Sequence, residues 1–337
     1  MIRRALTALA LAASLLTPAA AEERITVGTT RSSDNGALFL AVARGYFSAE
    51  GLNVEMTAYA SDKDVAQAVA AGAMDFGLAG FTPQTFNYAG QGFFKLVAAQ
   101  VQERKGFEGN EVVASNAAWA NGLRKMENLA DRSVAITVLG SPFHYQLAQI
   151  ARVKKFDFNS ITIKPLQTVD AAALAVSEGK AEAAILPAAY ARELMVASQG
   201  MLVGWYSEVG EQQDLGALFV SKKMLMERHA AAGKFVHAYR RGAADYSAMV
   251  QLDRYGKRIS NVSTRELATV IARYVFPGRE LGRAAGTVET GAYPMDPQES
   301  LNTADIERQV AWLKEQKLID AGVNVPEIVD TTLGTGQ

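Results

Sequence analysis

Hydrophobic and polar positions along the chain form two successive series of short strands and amphipathic helices. The first series predicts strands at 25–30, 53–59 and 75–80 and helices at 36–47 and 62–71. The second predicts strands at 133–138, 160–165 and 182–186 and helices at 142–154 and 169–178. Strands that alternate with helices at this spacing form mostly parallel sheets with right-handed crossovers, so each series predicts one α/β unit.

The two series are an internal repeat. Each contains an Ala-rich helix, a glycine, two further residues, an acid and an apolar run, with Gly72 and Asp75 in the first and Gly179 and Glu182 in the second. Both pairs have the same offset of 107 residues (179 − 72 and 182 − 75). A glycine after a helix supplies the left-handed conformation that ends it. The repeat therefore predicts two lobes of one design.

The remaining apolar segments predict how the lobes are connected. We expect strands at 93–101 and 111–115 to carry the chain across, and strands at 200–206 and 215–220 to bring it back. From Lys222 onward the pattern is mainly helical, with a capping box at Ser263 and Glu266 and a helix at 304–316. The expected division is 22–112 and 207–337 for lobe one and 113–206 for lobe two.

The N-terminus has the three parts of a secretory signal: Arg3 and Arg4, an apolar run at 5–16, and small residues up to Ala21. The apolar run has about 12 residues, too few to span a bilayer. We expect cleavage after about Ala21 and a soluble periplasmic protein. The chain has no cysteine, which excludes disulfides, thiolate metal sites and a lipid-modified cysteine anchor.

Charge and composition narrow the range of partners. Without the predicted signal the chain has 32 basic and 35 acidic residues, a formal charge of −3 (32 − 35). Such a balance gives no electrostatic reason to expect nucleic acid or an anionic membrane as a partner. The three histidines, His144, His229 and His237, match no metal-ligand spacing. We expect no metal, no cofactor and no catalytic residue.

A ligand site is expected where the strands end, because crevices in open parallel sheets lie off the carboxyl ends of the strands. The residues at these ends are rich in hydroxyl, glycine and aromatic types. They are Arg31, Ser32, Asn35, Ser61, Gly80, Phe81 and Thr82 in the first series, and Gly140, Ser141, Pro142, Phe143, His144, Thr168, Pro187 and Tyr190 in the second.

The segment around Ser141 indicates an anion site. Ser141 is a good N-cap and Pro142 suits the first helical turn, where its missing N–H costs nothing. A helix start leaves N–H groups unpaired and carries partial positive charge, which favours a carboxylate, sulfonate or phosphate. Asn35 with Gly36 has the same potential in the other lobe, and Arg31 would add a forked cationic donor.

Several of these residues also have a purely structural interpretation. Phe81, Phe143 and Tyr190 would enclose the apolar or planar part of a ligand, but Phe81 suits the core equally well. Arg31 fits a solvated loop charge, and His144 fits a packing residue better than a direct ligand contact. A Ser–His dyad at Ser141 and His144 lacks an orienting carboxylate, and the spacing of a hydrolase elbow is absent.

The stretch ARGYFSAEGLNVEMTAYAS at 43–61, followed by AVAAGAMDFGLAG, resembles the solute-binding proteins of nitrate, sulfonate and taurine type ABC importers. That group also includes thiamine-precursor binders. GSPFHYQL resembles a Gly-Ser-x-x-His-Tyr run in their second lobe, and DPQESLNTADIERQVAWLKEQKLI resembles their C-terminal helix. The Pro142-Phe143 pair replaces the smaller polar residues frequent there, which favours a bulkier or aromatic anion over a simple inorganic one.

The resemblance implies a two-lobe periplasmic binding fold of type II, each lobe a mostly parallel sheet flanked by helices, with the ligand in a cleft between the lobes. It implies a monomer that delivers a small organic anion, a sulfonate or a carboxylate, to an inner-membrane permease driven by an ATPase. The alternatives are a binder of a thiamine or pyrimidine precursor or another nitrogenous heterocycle, a ligand-presenting sensor domain, and a biosynthetic enzyme of the same fold.

Overall fold

The computed structural model describes residues 22–333, so the predicted secretory segment lies outside the described residues. Its helices are α1 (Gly36–Ala43), α2 (Tyr46–Ala49), α3 (Asp62–Ala70), α4 (Pro83–Gly90), α5 (Asn116–Ala120), α6 (Pro142–Lys154), α7 (Val169–Ser177), α8 (Ala188–Val196), α9 (Lys222–Glu227), α10 (His229–Met249), α11 (Val262–Val275), α12 (Leu281–Gly291), α13 (Thr303–Glu315) and α14 (Val325–Ile328). The predicted helix at 36–47 is broken, because Gly45 adopts a left-handed conformation (φ 68°) between α1 and α2.

The first sheet has the strand order β2-β1-β3-β12-β4. Its strands are β1 (Glu23–Thr30), β2 (Leu52–Tyr59), β3 (Phe76–Gly80), β4 (Phe94–Ala99) and β12 (Gly216–Ser221). β1 runs parallel to β2 and β3, whereas β12 is inserted antiparallel to both β3 and β4. The strand between β3 and β4 therefore comes from chain that has already passed through the second sheet.

The second sheet repeats this plan with the order β10-β6-β9-β7-β8. Its strands are β6 (Asn110–Ala114), β7 (Ser133–Ile136), β8 (Thr162–Pro165), β9 (Ala183–Pro187) and β10 (Met201–Trp205). β7 is parallel to β8 and β9, and β6 is inserted antiparallel between β9 and β10. Each sheet thus takes one antiparallel strand from chain that crosses over from the other lobe. The predicted two-lobe α/β fold with mostly parallel sheets is confirmed.

The predicted crossing strands are wrong in their role. The segments at 93–101 and 111–115 form β4 and β6, and those at 200–206 and 215–220 form β10 and β12, all of which pair inside the two sheets. The crossing is made by a short antiparallel ribbon of β5 (Gln102–Glu103) and β11 (Gln213–Asp214). An apolar strand is buried in a sheet wherever it can pair, so only the short polar segments remain for the connection.

The repeated acids perform the same structural task in both lobes. Asp75 accepts hydrogen bonds from the Thr26 N–H (2.9 Å) and hydroxyl (3.2 Å), and its own N–H donates to that hydroxyl (3.0 Å). Glu182 accepts from the N–H (2.8 Å) and hydroxyl (3.2 Å) of Ser133 and donates back in the same way (3.1 Å). Each acid thus holds the start of the central strand of its sheet. We call Asp75 and Glu182 the strand-start acids.

The repeated glycines end their helices as predicted. Gly72 and Gly179 have φ values of 75° and 67°, the left-handed conformation that glycine adopts without strain. The predicted capping box of the later helical region is displaced, however. Asn261 caps α11 and exchanges hydrogen bonds with Thr264, whereas Ser263 lies within the first turn of the helix. Asn261-x-x-Thr264 forms the same kind of capping box as the predicted Ser-x-x-Glu pattern, with an amide and a hydroxyl in place of the hydroxyl and the carboxylate.

The helices cover both faces of the first sheet. One apolar cluster joins β1 and β3 to α1, α10 and α11, and includes Leu38, Phe76 and Phe235. A second cluster joins the opposite face to α3, α4 and α13, and includes Phe86 and Ile306. The C-terminal helices therefore pack against lobe one, and α12 and α13 also reach lobe two.

Candidate functional site

Residues next to the strand ends of the two lobes meet across the interlobe boundary at several places. At one, Pro83 and Leu313 of lobe one pack against Gly140 of lobe two. At another, Gly291 at the end of α12 lies against Ala189 of α8. The polar residues at these strand ends form the candidate site.

The first strand end is organised by hydrogen bonds within lobe one. The Ser32 hydroxyl accepts from the Asp34 N–H (3.4 Å). Asn35 is fully buried, and its amide donates to both the Thr30 carbonyl and hydroxyl at 3.0 Å while its oxygen accepts from Gln100 at 2.6 Å. Asn35 therefore holds the loop in place, and its polar atoms are occupied by protein partners.

Two carboxylates that are not among the predicted site residues, Asp34 and Asp62, lie at the strand ends of lobe one. Asp34 keeps partly accessible surface, yet burial raises its pKa to about 6, with the Ser32 hydrogen bond opposing and the Asp62 charge reinforcing that shift. Burial likewise raises the pKa of Asp62, opposed by the Gly80 N–H, although Asp62 is also partly accessible. The two carboxylates are therefore poorly solvated although part of their surface is accessible.

The sequence contained only a weak signal for these acids. Asp34 lies in the loop after the first predicted strand, between Ser33 and Asn35, but its negative charge does not suit the anion predicted there. Asp62 follows the N-cap Ser61, and an acid in the first turn of a helix is common because it interacts favourably with the helix dipole. Ser61 is engaged in that role, since its hydroxyl accepts from the Asp64 N–H and donates to the Asp64 carboxylate.

The turn after β3 is mainly structural. Gly80 lies against the Asp62 carboxylate, so a side chain at this position would displace that acid. Phe81 is buried in the core and packs on Phe86 with ring centroids 5.0 Å apart, which settles its role as core. Thr82 is buried and forms a capping box with Thr85 at the start of α4. Of these residues, Gly80 is the one in contact with a cleft carboxylate.

The start of α6 is filled by protein groups. Ser141, 2% exposed, caps the helix by accepting from the His144 N–H at 3.4 Å. The Gly140 N–H donates to Nδ1 of His144 at 2.9 Å. His144 is buried against Phe158 and against Trp312 of lobe one, with centroid distances of 5.6 and 5.0 Å. These N–H groups already have partners, so the helix start offers little to an incoming anion.

The imidazole of His144 is neutral in this setting. Burial lowers its pKa to about 4, and Nδ1 acts as the acceptor of the Gly140 N–H, which leaves the proton on Nε2. The packing interpretation of His144 agrees with this geometry. Pro142 is half-buried, and the half-buried ring of Phe143 packs on the core of lobe two.

The other strand ends of lobe two differ from one another. Thr168 is exposed and caps α7 by accepting from the Ala171 N–H at 3.1 Å. Pro187 ends β9 and is half-buried. Tyr190 on α8 is half-buried, and its pKa is raised to about 12 by burial, then by the charges of Asp170 and Asp34. The charge of Asp34 in lobe one therefore contributes to the raised pKa of this lobe-two phenol.

Arg31 lies apart from these groups. It is exposed, and its guanidinium donates to the Tyr274 carbonyl at the C-terminal end of α11 at 3.2 Å. This contact matches the solvated-charge interpretation. The structure thus brings Ser32 into contact with Asp34 and Gly80 into contact with Asp62, while Arg31 and Thr168 make their hydrogen bonds elsewhere.

Between residues 22 and 333, no group of three or more His, Cys, Asp or Glu side chains is arranged to hold a metal ion. In the same range, no helix is both long and apolar enough to cross a membrane.

The fold defines a class of protein: a two-lobe periplasmic binding fold of type II, in which each lobe has a mostly parallel sheet. Within this class the family is settled by sequence. The profile of the family described as NMT1/THI5 like matches residues 32–249, well over half of the chain, and the chain belongs to this family. No curated protein sequence matches it.

Solved structures share the fold across nearly the whole chain. The periplasmic aliphatic sulphonate binding protein SsuA from Escherichia coli is 14% identical, with a TM-score of 0.70 and coverage of 94% of each chain. The alkanesulfonate-binding protein SsuA from Xanthomonas axonopodis pv. citri, bound to MOPS, is 16% identical, with a TM-score of 0.67 and coverage of 91% of this chain and 98% of that one. The desulfurization enzyme DSZB is 12% identical, with a TM-score of 0.61 and coverage of 92% and 97%. At these identities the likeness is one of fold.

Proposed function

We propose that the protein is the periplasmic solute-binding component of an ABC importer, which captures a small organic solute between its lobes and delivers it to a membrane permease. Three observations support this: membership of the NMT1/THI5 like family, the two-lobe fold, and structural neighbours that are periplasmic binding proteins. The proposal includes export through the N-terminal signal, a monomeric state and no catalytic role.

The proposed lobes follow the expected division with one adjustment. The boundary expected between residues 112 and 113 would divide β6, all five residues of which pair with β9 of the second sheet. We therefore place the first crossing at the β5–β11 ribbon, ahead of Asn110, and the return at the same ribbon, ahead of β12. Opening of the lobes would then bend this ribbon.

The ligand class rests on one observation, the two accessible carboxylates Asp34 and Asp62 at the strand ends of lobe one. Carboxylates accept hydrogen bonds and attract positive charge, so they favour a ligand with amino, amidino or ring N–H groups. The anion expected at Ser141 is not retained, because the polar groups there are occupied by His144 and covered by lobe one. The nitrogen-containing alternative is the one we propose.

A thermal-shift panel on the mature protein tests this ligand class. It would compare amines, amidines and aminopyrimidines with alkanesulfonates, carboxylates and MOPS, since a ligand of the native state raises the melting temperature by mass action. We expect nitrogen-containing compounds to stabilise the protein. Asp34→Asn should weaken their binding by about 10- to 100-fold, because a hydrogen bond to a charged group contributes about 1.5–3 kcal/mol.

Asp320→Asn is the matched control, since Asp320 is an exposed carboxylate away from the cleft. If simple anions alone stabilised the protein, the proposed nitrogen-containing ligand would be wrong and an anionic ligand would replace it. Turnover of a stabilising compound would favour the enzyme alternative. Ligand-dependent binding to a sensor kinase in place of a permease would favour the sensor alternative.

A further inference from the structure

Gly80, the last residue of β3, is a glycine that its own backbone conformation does not require. Its φ lies outside the left-handed region, so a residue with a side chain could adopt the same backbone. A Cβ atom at this position would lie 3.6 Å from the Leu215 carbonyl oxygen, which is an ordinary contact. Its two nearest neighbours would be Oδ2 of Asp62 at 2.9 Å and Cγ of Asp62 at 3.3 Å. The Asp62 carboxylate therefore occupies the space that a side chain would need.

The glycine that pairs with Gly80 has a different cause. Gly216 of β12 lies directly opposite Gly80 in the antiparallel pair of strands. A Cβ atom at Gly216 would clash with the Ala79 carbonyl and would lie 2.8 Å from the Cα atom of Gly80. The backbone of the neighbouring strand thus excludes a side chain at Gly216, which makes it a structural glycine. At Gly80 the close neighbour is a single polar side chain.

Lobe two shows that this kind of sheet accepts a side chain at the same place. The offset of 107 residues that relates the strand-start acids places Pro187, the last residue of β9, at the position of Gly80 (187 − 80). Pro187 pairs with Asn110 of β6, so both residues of the pair have side chains there. The same offset places Val169 at the position of Asp62 (169 − 62). The glycine is therefore present in the lobe that has the acid and absent from the lobe that lacks it.

Gly80 also holds the carboxylate for which it leaves room. The Gly80 N–H donates a hydrogen bond to the Asp62 carboxylate. Asp62 is the first residue of α3 and follows the N-cap Ser61, so the helix start fixes its backbone. Asp62 is nevertheless partly accessible to solvent. A carboxylate that is fixed at both ends and still accessible meets the geometric requirement for a ligand contact, which tolerates a displacement of only about 0.5 Å.

We propose that Gly80 is a positioning residue for ligand recognition: it leaves the space in which the Asp62 carboxylate lies, and so determines where that acid contacts a nitrogen group of the solute. The inference rests on the proposed function, because Asp62 is one of the two carboxylates assigned to the ligand there. The preference for nitrogen-containing compounds then depends on a residue that contributes no side chain of its own.

The first test uses the ligand-free protein. Thermal unfolding compares the wild type with Gly80→Ala, Asp62→Ala and the double variant. With Asp62 present, the new methyl group displaces the carboxylate, so Gly80→Ala should lower the melting temperature. In the Asp62→Ala background the methyl group enters vacated space, so the same change should leave the melting temperature unchanged or raise it. Equal effects in the two backgrounds would show that Gly80 does not position Asp62, while the proposed function would stand.

The second test is calorimetric titration with benzamidine, propylamine and 4-aminopyrimidine, and with benzoate as an acid of the same shape as benzamidine. Gly80→Ala should weaken binding of the nitrogen compounds about 10-fold, because the displaced carboxylate forms a poorer charged hydrogen bond, and should not change the response to benzoate. Gly28→Ala in β1 is the matched control. Its Cβ atom would contact carbon atoms of Tyr59, Met74 and Val65 at 3.2–3.4 Å, so binding should be unchanged.

The outcomes separate the inference from the proposed function. In the Asp62→Ala background, Gly80→Ala should weaken binding no further, because the group that it positions is already absent. If Gly80→Ala binds the nitrogen compounds like the wild type, or weakens binding equally with and without the Asp62 carboxylate, the positioning role is wrong and the proposed function stands. If none of the three nitrogen compounds binds to the wild type, the proposed ligand class is wrong and the inference fails with it.

Discussion

The two lobes share a scaffold and differ where their strands end. At the start of α3, Ser61 caps the helix and the next residue is Asp62; 107 residues later Thr168 caps α7 in the same way and the next residue is Val169. The capping hydroxyls are equivalent, whereas the residue that follows the cap is a carboxylate in lobe one and an apolar valine in lobe two. The capping positions are repeated, and the positions next to them, which we propose face a ligand, have diverged.

A second difference lies at the first helix of each lobe. In lobe one, Asp34 precedes α1 and stays partly accessible. In lobe two, the corresponding start of α6 is covered by Pro83, Leu313 and Trp312. The same kind of strand end therefore serves as a cleft wall in one lobe and as an interlobe contact in the other.

The largest effect that tests this comparison is a pH dependence of opposite sign for His144 at the covered strand end and Asp34 at the accessible strand end. His144 has a folded-state pKa of about 4, below its ordinary value of 6.5, so it favours the folded state at neutral pH. That stability is lost as the pH falls from 6.5 towards 4, by up to about 3 kcal/mol. Asp34 has a raised pKa of about 6, so its contribution is lost as the pH rises from 3.8 to 6.

Denaturant unfolding between pH 4 and pH 7 measures both slopes. His144→Asn should flatten the acid-side loss, because its amide oxygen still accepts from the Gly140 N–H without titrating. Asp34→Asn should remove the opposing slope. Equal profiles for the wild type and His144→Asn would mean that His144 is accessible to solvent, in conflict with its place under Trp312.

The next effect tests whether the two strand-start acids contribute equally to the stability of the protein. Asp75→Ala and Glu182→Ala each remove the acceptor of a strand N–H and a hydroxyl, so each should lower the free energy of unfolding by about 2 kcal/mol. Partly exposed ion pairs with Arg228 (3.4 Å) and Arg132 (2.8 Å) add little to either value. Chemical denaturation of the two variants measures these losses. A loss of unfolding free energy several times larger in one variant than in the other would contradict the equivalence of the two acids.

The smallest expected effect concerns the helix-ending glycines. Gly72→Ala and Gly179→Ala introduce a side chain into open space, so the cost is backbone strain alone, about 1 kcal/mol in each lobe. Thermal unfolding should show two small and similar decreases. A loss much larger than this at one site would mean that the helix ends are not equivalent.

Much of the scaffold could be predicted from local patterns. The helix at 142–154 was predicted with its observed bounds, because an N-cap serine followed by proline determines where a helix begins. The candidate site was predicted less well. Arg31 and Ser141 have residue types suited to an anion, but the structure gives their polar groups protein partners. The local patterns do not single out Asp34 and Asp62, because their significance depends on desolvation, which no single segment reveals.

The sequence by itself determined the strands, the helix starts and ends, and the duplication, because capping, glycine conformation and apolar alternation act within a few residues. Tertiary structure alone decided which strand end is open to a ligand and which is covered by the other lobe. It also placed the C-terminal helices against lobe one, with Trp312 of α13 packed on His144 of lobe two. Charge and desolvation depend on everything packed around a group, so the character of the site emerges only when both lobes are in place.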